Sequence, residues 1–311
     1  MNWKQALLLA SVGMLLTAGA AASYLTSPDA TDDGRLKVVA TFYPLYYFSC
    51  EIAGDRASVS NLIPFNSEPH SWEPKPSDIV RVDKAGVFVY NGAGIEPWAG
   101  DLLSALQNRE RMQVVDSSKG LALMSGDADN PLGLNPHFWV DPVLAKRQVD
   151  NILDGFEKAD PANAAYYVLN AEDLKARLDA LDMEFRDGLA NRTKDLILTT
   201  HEGFDYLAAR YNFTARAILG LEPNQQPSAA RLSEMVKLVE EYDLSVVFGE
   251  PVYSDAYMKT ISNEVKRQSG RDVRVLVLDG IHGRSGPHAG LDYFGIQRAN
   301  LESLRLGLGV A

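Results

Sequence analysis

Along the chain, short runs of apolar and β-branched residues alternate with longer stretches in which apolar side chains recur every three or four positions. Leu36–Phe42, Ala57–Leu62, Gly86–Tyr90 and Met112–Val115 read as strands, and Gly94–Asn108 has helical spacing. The habit returns in Asp195–Thr200, Thr214–Ile218, Ser245–Gly249 and Val273–Leu278, with helical stretches at Glu202–Tyr211, Ser228–Tyr242 and Asp255–Ser269. Alternation of this kind predicts parallel sheets covered by helices. The expected fold is α/β, with two Rossmann-like lobes built on mainly parallel sheets.

The strongest helical signal lies between the two halves. From Pro161 to about Arg192, apolar residues fall at Tyr167, Ala171, Leu174, Leu178, Leu181, Phe185 and Leu189. Intervals of three and four put them on one stripe. Asp160 is a suitable N-cap, and Pro161 suits the first helical position. At 1.5 Å per residue the helix would be roughly 45 Å long and could span both lobes. The organisation read from this is an N-terminal lobe over 36–160, one long linking helix over 161–192, and a C-terminal lobe over 193–311.

The first 22 residues change the setting. Lys4 precedes an uncharged run, Ala6 to Ala22, that ends in small residues. That is the layout of a secretory signal, and the run is also long enough to serve as an N-terminal anchor. Residues 23–35 are polar and read as a tether. The rest of the chain is therefore expected outside the cytoplasm, periplasmic or at the cell surface. At 311 residues, two domains of ordinary size, or one large one, are the natural priors. The formal charge of −11 argues against a nucleic-acid partner, which would call for clustered Lys and Arg. Cys50 is the only cysteine, so no intrachain disulfide forms. It lies well past the signal region, which argues against a lipid-modified cysteine at a mature N-terminus, and it reads as a small core side chain.

Chemistry enters with a repeated motif. Residues 67–78 read S-E-P-H-S-W-E-P-K-P-S-D and residues 134–143 read L-N-P-H-F-W-V-D-P-V, so Pro-His-x-Trp occurs twice in a chain with five histidines and four tryptophans. His70 comes soon after the second predicted strand, His201 directly follows the fifth, and Asp279 directly follows the eighth. Ligands of open parallel sheets bind beyond the carboxyl ends of strands. His70, His137, His201 and Asp279 then form an N3O set with two members from each half. Such a set suits a tetrahedral divalent ion, zinc first and manganese second. The prolines would stiffen the backbone before two of the ligands, and Trp72 and Trp139 would exclude water. His282 and His288 lie in the glycine-rich G-I-H-G-R-S-G-P-H segment and read as exposed loop residues, His282 having a lesser claim on metal entry. Glu250, also at a strand end, reads at least as well as a backbone hydrogen-bond acceptor as a ligand.

Taken together, E-P-H-S-W-E-P-K-P-S-D, N-P-H-F-W-V-D-P, T-H-E-G-F-D-Y-L-A-A-R-Y, F-G-E-P and L-V-L-D-G resemble the metal-binding solute-binding proteins of ABC importers for zinc and manganese, the cluster A-I or zinc-uptake A type. The resemblance covers nearly the whole exported chain. It implies a receptor of two α/β lobes joined by one long helix, holding its metal between the lobes and delivering it to a membrane permease of an ABC importer. By position the family's ligands fall on His70, His137, His201 and Asp279. Manganese-binding relatives usually carry Glu as third ligand, so His201 favours zinc. Two departures stand out. Lys119–Asn135 contains no histidine, so the metal-collecting loop of many zinc receptors is absent, and Asp279-Gly280-Ile281 replaces the family's common Asp-Pro-Leu-Gly.

The competing reading is an exported zinc-dependent hydrolase, with three protein ligands, a bound water and Glu202 as general base. No His-Glu-x-x-His helix and no paired catalytic carboxylates support it, and Glu202 reads as a first-turn helix residue. The expectation is a non-enzymatic, monomeric metal receptor whose affinity falls as its imidazoles protonate below about pH 6.5.

Overall fold

In a computed structural model of the chain, residues 34–126, 132–221 and 226–310 are described. The expected signal or anchor segment and nearly all of the expected tether lie outside them. From Leu36 onward the chain forms one compact unit.

Every predicted strand is present within a residue or two of its expected bounds: β1 Leu36–Ala40, β2 Ala57–Asn61, β3 Val87–Tyr90, β4 Gln113–Asp116, β5 Leu196–Thr199, β6 Thr214–Ala217, β7 Val246–Gly249 and β8 Arg274–Val277. The first four make a parallel sheet in the order β2-β1-β3-β4, with Val38 opposite both Val59 and Val87. Val38, Val39, Ala40, Val87, Phe88 and Val89 are all buried. The two central strands are thus apolar on both faces, as parallel sheets covered on both sides require. In the second half β5 pairs with β6 and β7 with β8, all parallel, and the two pairs adjoin through β5 and β7.

The helices are α1 Tyr43–Ala53, α2 Pro76–Asp83, α3 Ala99–Ala105, α4 Pro142–Ala159, α5 Ala164–Gly188, α6 Asp205–Arg210, α7 Ala229–Glu241, α8 Ala256–Ser269 and α9 Tyr293–Gly307. Helices α1, α2 and α4 lie outside the stretches marked by periodicity, yet each carries a proline in its first turn. Asp141 caps α4, its Oδ1 accepting from the N–H of Val143 at 2.8 Å and of Leu144 at 3.4 Å.

The linking helix α5 is shorter than its sequence pattern suggests. Pro161–Asn163 form a 3-10 turn and the α-helix covers 25 residues, about 38 Å. The Asp160 carboxylate accepts from Asn163 Nδ2 and Tyr167 OH, both at 2.7 Å, rather than capping the backbone. All seven stripe residues are buried, against α1, α4 and α9. Asp182 lies on the buried face too. Burial alone would raise its pKa, but hydrogen bonds from Arg210 and Arg186 outweigh that and lower it.

Helix α9 adds a second bridge that the sequence pattern did not show. Tyr293 OH donates to Trp139 O at 2.6 Å, and Gln297 Nε2 to Val140 O at 3.0 Å. Arg298 reaches Glu184 on α5 at 2.8 Å. The two halves are therefore tied at the front of α4 as well as along the linking helix.

Candidate metal centre

Each candidate histidine is held by its own local structure. After β2 the chain enters the proline-rich loop, where the Glu68 carboxylate accepts from the N–H of His70 at 3.0 Å and of Ser71 at 2.9 Å. This fixes the backbone at His70. His137 leads into the 3-10 turn Phe138–Val140, and Asn135 Oδ1 lies 3.0 Å from both its backbone N and its Nδ1. His201 follows β5, and Glu250 Oε1 accepts from its backbone N–H at 3.1 Å and lies 2.6 Å from its Nδ1. A Cβ on Gly203 would come within 2.4 Å of the His201 ring, so only glycine lets the chain turn so tightly behind it. Glu202 lies in that turn, ahead of α6 rather than inside it, with its N–H donating to Gly220 O.

The three imidazoles converge. His70 Nε2 is 3.0 Å from His137 Nε2, which is 3.1 Å from His201 Nε2. The second nitrogens of His137 and His201 face oxygen acceptors, so both rings carry hydrogen on Nδ1 and present the Nε2 lone pair to the common centre.

The fourth member is His282. One donor atom from each of His70, His137, His201 and His282 can be chosen so that all four lie within 4.8 Å of one another. His282 is 2% exposed, not an exposed loop residue, and its ring centre is 5.1 Å from that of His201 and 5.5 Å from that of His137. Neither of its ring nitrogens has a hydrogen-bond partner among the described residues. Two buried polar atoms without partners are costly unless something else satisfies them. Asp279, the fourth ligand expected from the sequence, is not in the group. Its Oδ1 accepts from the N–H of Ile281 at 2.8 Å and its Oδ2 lies 3.1 Å from His288 Nδ1. The physical reason is the turn after β8, which points residue 282 rather than residue 279 at the other imidazoles.

The loop carrying His282 is buried because the other half of the chain covers it. The N–H of Arg284 donates to Phe65 O at 2.8 Å, and Trp139 Nε1 donates to Gly280 O at 2.7 Å. The Trp139 ring lies 5.1 Å from His137 and 5.5 Å from His282, so it does wall the centre. Trp72, its counterpart in the first Pro-His-x-Trp, packs instead edge-on against Trp98 at 5.1 Å. Tyr253 closes another side: its ring is 4.9 Å from His201, and its hydroxyl donates to Glu68 Oε1 at 3.3 Å.

The electrostatics favour the neutral imidazole at His70, His137 and His282. Burial, and then the neighbouring His201, pushes His70 down to about 3. Burial is also the main cause that holds His137 and His282 well below the usual histidine range. Burial raises the Glu250 carboxyl, with His201 pulling the other way. Neutral imidazole is the form that ligates a metal.

Residues 38–307 match the family model described as zinc-uptake complex component A, periplasmic, or ZnuA. The chain is 33% identical over 316 residues to the high-affinity zinc uptake system protein ZnuA of Bacillus subtilis strain 168, covering 98% of this chain and 97% of that protein. It is 31% identical to the zinc-binding lipoprotein AdcA of Streptococcus pneumoniae serotype 4, covering 88% of this chain and spanning 56% of that longer protein. Among solved structures, the metal-dependent lipoprotein YcdH of Bacillus subtilis superposes with a TM-score of 0.75 at 35% identity, covering 89% of this chain and all of that one. The Zn(II)-bound ZnuA-like domain of Streptococcus pneumoniae AdcA gives a TM-score of 0.75 at 30% identity, covering 88% of this chain and 99% of that domain. With the two-lobed α/β fold and the match over nearly all the described residues, the chain belongs to the ZnuA family of zinc-uptake solute-binding proteins.

Proposed function

We propose that this chain is an extracytoplasmic zinc receptor that holds one ion through His70, His137, His201 and His282 and passes it to the membrane permease of an ABC importer. The observation that carries this reading is the convergence of four buried imidazoles. Taking the lobes as residues 36–160 and 193–311, each contributes two ligands, so a bound ion bridges them. Four imidazole nitrogens suit zinc, whereas manganese favours oxygen donors. A carrier benefits from such a closed set, because no coordination position is left for a reactive water.

The family is one of transport receptors and not of enzymes, which sets aside the hydrolase reading. Glu202, the base that reading needs, is held by its backbone in the turn behind His201. Export rests on the same kinship, the family being described as periplasmic. Among the described residues no helix is long and apolar enough to cross a membrane.

The test is metal analysis of protein purified without added metal, followed by calorimetric titration with zinc and manganese. One zinc per chain is expected, with tighter binding of zinc than of manganese, and His201→Ala should weaken zinc by orders of magnitude in a folded protein. Unchanged affinity in His201→Ala would remove that residue from the site.

A further inference from the structure

We infer that Asp279 is a positioning residue, whose carboxylate holds a strained turn that delivers His282 to the metal site. The inference rests on the four-imidazole reading above and goes beyond it by assigning a role to the carboxylate that the family pattern marks as a ligand.

The turn after β8 is pinned at both ends. Asn300, on α9, brackets the backbone of Asp279: its Oδ1 accepts from the N–H of Asp279 at 2.7 Å and its Nδ2 donates to the carbonyl of Asp279 at 2.8 Å. Asp279 Oδ1 then accepts from the N–H of Ile281, two residues on. That bond closes an Asx turn, in which a side-chain oxygen takes the place of a backbone carbonyl. Between these anchors Ile281 has a φ of +58°. A β-branched residue in the left-handed region is an outlier that persists only where its surroundings over-determine it. Here the surroundings are the Asp279 carboxylate on one side and burial of the Ile281 side chain on the other.

The strain has a geometric result. Reversing the chain at Ile281 directs His282 inward, while the Asp279 carboxylate is occupied with the Ile281 N–H and His288. Gly280 completes the device, since a Cβ there would come within 2.6 Å of the His282 ring and 3.0 Å of Glu250 Oε2. In this chain the aspartate and the histidine thus divide two tasks. One shapes the turn and the other ligates.

Asparagine keeps the Oδ1 acceptor but is not a carboxylate ligand, so it separates the two roles. The experiment compares Asp279→Asn, Asp279→Ala and His282→Ala in the full chain, reading zinc affinity by chelator competition, the visible absorption spectrum of the cobalt-loaded protein, and folding by circular dichroism. The expected result is that Asp279→Asn binds zinc within about three-fold of the parent and keeps its cobalt spectrum. Asp279→Ala should bind about 10–100-fold more weakly, the usual cost of losing an outer-sphere partner. His282→Ala should lose more than either and change the spectrum.

If Asp279→Asn is as weak as Asp279→Ala and its cobalt spectrum changes, the carboxylate is a ligand and the inference is overturned, whatever His282 does. Parent-like affinity in Asp279→Ala overturns it as well. Should Asp279→Ala fail to fold, the asparagine variant alone decides. An unchanged affinity and spectrum in His282→Ala overturns the four-imidazole reading itself, a result distinct from failure of the positioning role.

Discussion

The Nδ1 of His201 lies 2.6 Å from Oε1 of Glu250, and both side chains are completely buried. A buried ligand imidazole paired with a carboxylate has its tautomer and ring orientation set before the ion arrives. Glu250→Ala would leave the Nδ1–H and the backbone N–H of His201 without their acceptor. Zinc affinity should fall about 10–100-fold, measured by competition with a chelator of known strength. Glu250→Gln retains an acceptor oxygen and should lose less.

Acid should destabilise the metal-free protein. His70, His137 and His282 all have pKa values below the unfolded value near 6.5, His70 at about 3. Between the folded and unfolded pKa the unfolded chain binds more protons, so stability falls as pH drops from about 6.5 toward 3. Each histidine can contribute up to about 1.4 kcal/mol per pH unit in that window. Denaturant melts of metal-free protein at pH 7.5 and pH 5.5 check this; equal midpoints would count against buried neutral imidazoles.

Zinc should stabilise the fold in proportion to its affinity. A ligand at 1,000 times its dissociation constant adds about 4.1 kcal/mol when only the native state binds it. Thermal melts with zinc, manganese and a chelator should rank zinc highest and the chelated protein lowest. A larger shift with manganese would contradict an all-nitrogen site.

Gly203→Ala should disable the site without unfolding the chain. The added methyl would sit 2.4 Å from the His201 ring, so the imidazole or the turn behind it must shift. Zinc titration should show weakened binding, while the far-ultraviolet dichroism spectrum stays that of the parent.

Trp139→Phe probes the contact between the halves. The indole Nε1 donates to the buried carbonyl of Gly280 at 2.7 Å, and phenylalanine cannot. Leaving that carbonyl unpaired should cost about 1–3 kcal/mol of stability, read from urea unfolding. Affinity should fall too, because the same bond steadies the turn that carries His282.

Much of this architecture was legible in the residues. The β-branched runs placed all eight strands because parallel strands covered on both faces must be apolar almost throughout. The stripe from Tyr167 to Leu189 located the linking helix because one face had to be buried. Its ends were less legible: Asp160 serves Asn163 and Tyr167 instead of the backbone, so the first turn is 3-10. Helix α9 gave no hint that it would bridge both halves.

At the proposed metal centre the sequence by itself located three of the four clustered imidazoles. His70, His137 and His201 follow rigid or strand-end positions, and nearby residues help to aim them: proline and Glu68 at His70, Asn135 at His137 and Gly203 at His201, where Glu250, 49 residues on, completes the hold. Only the tertiary structure decided the fourth position. A histidine in a glycine-rich segment reads as exposed, and Asp279 at a strand end reads as a ligand, because neither residue's neighbours in sequence reveal what covers the loop. Phe65 and Trp139, more than 100 residues away, bury it, and the left-handed turn at Ile281 leaves His282, not Asp279, facing the other imidazoles. Strand identity is a local property of side chains, but the direction in which a turn points depends on long-range packing.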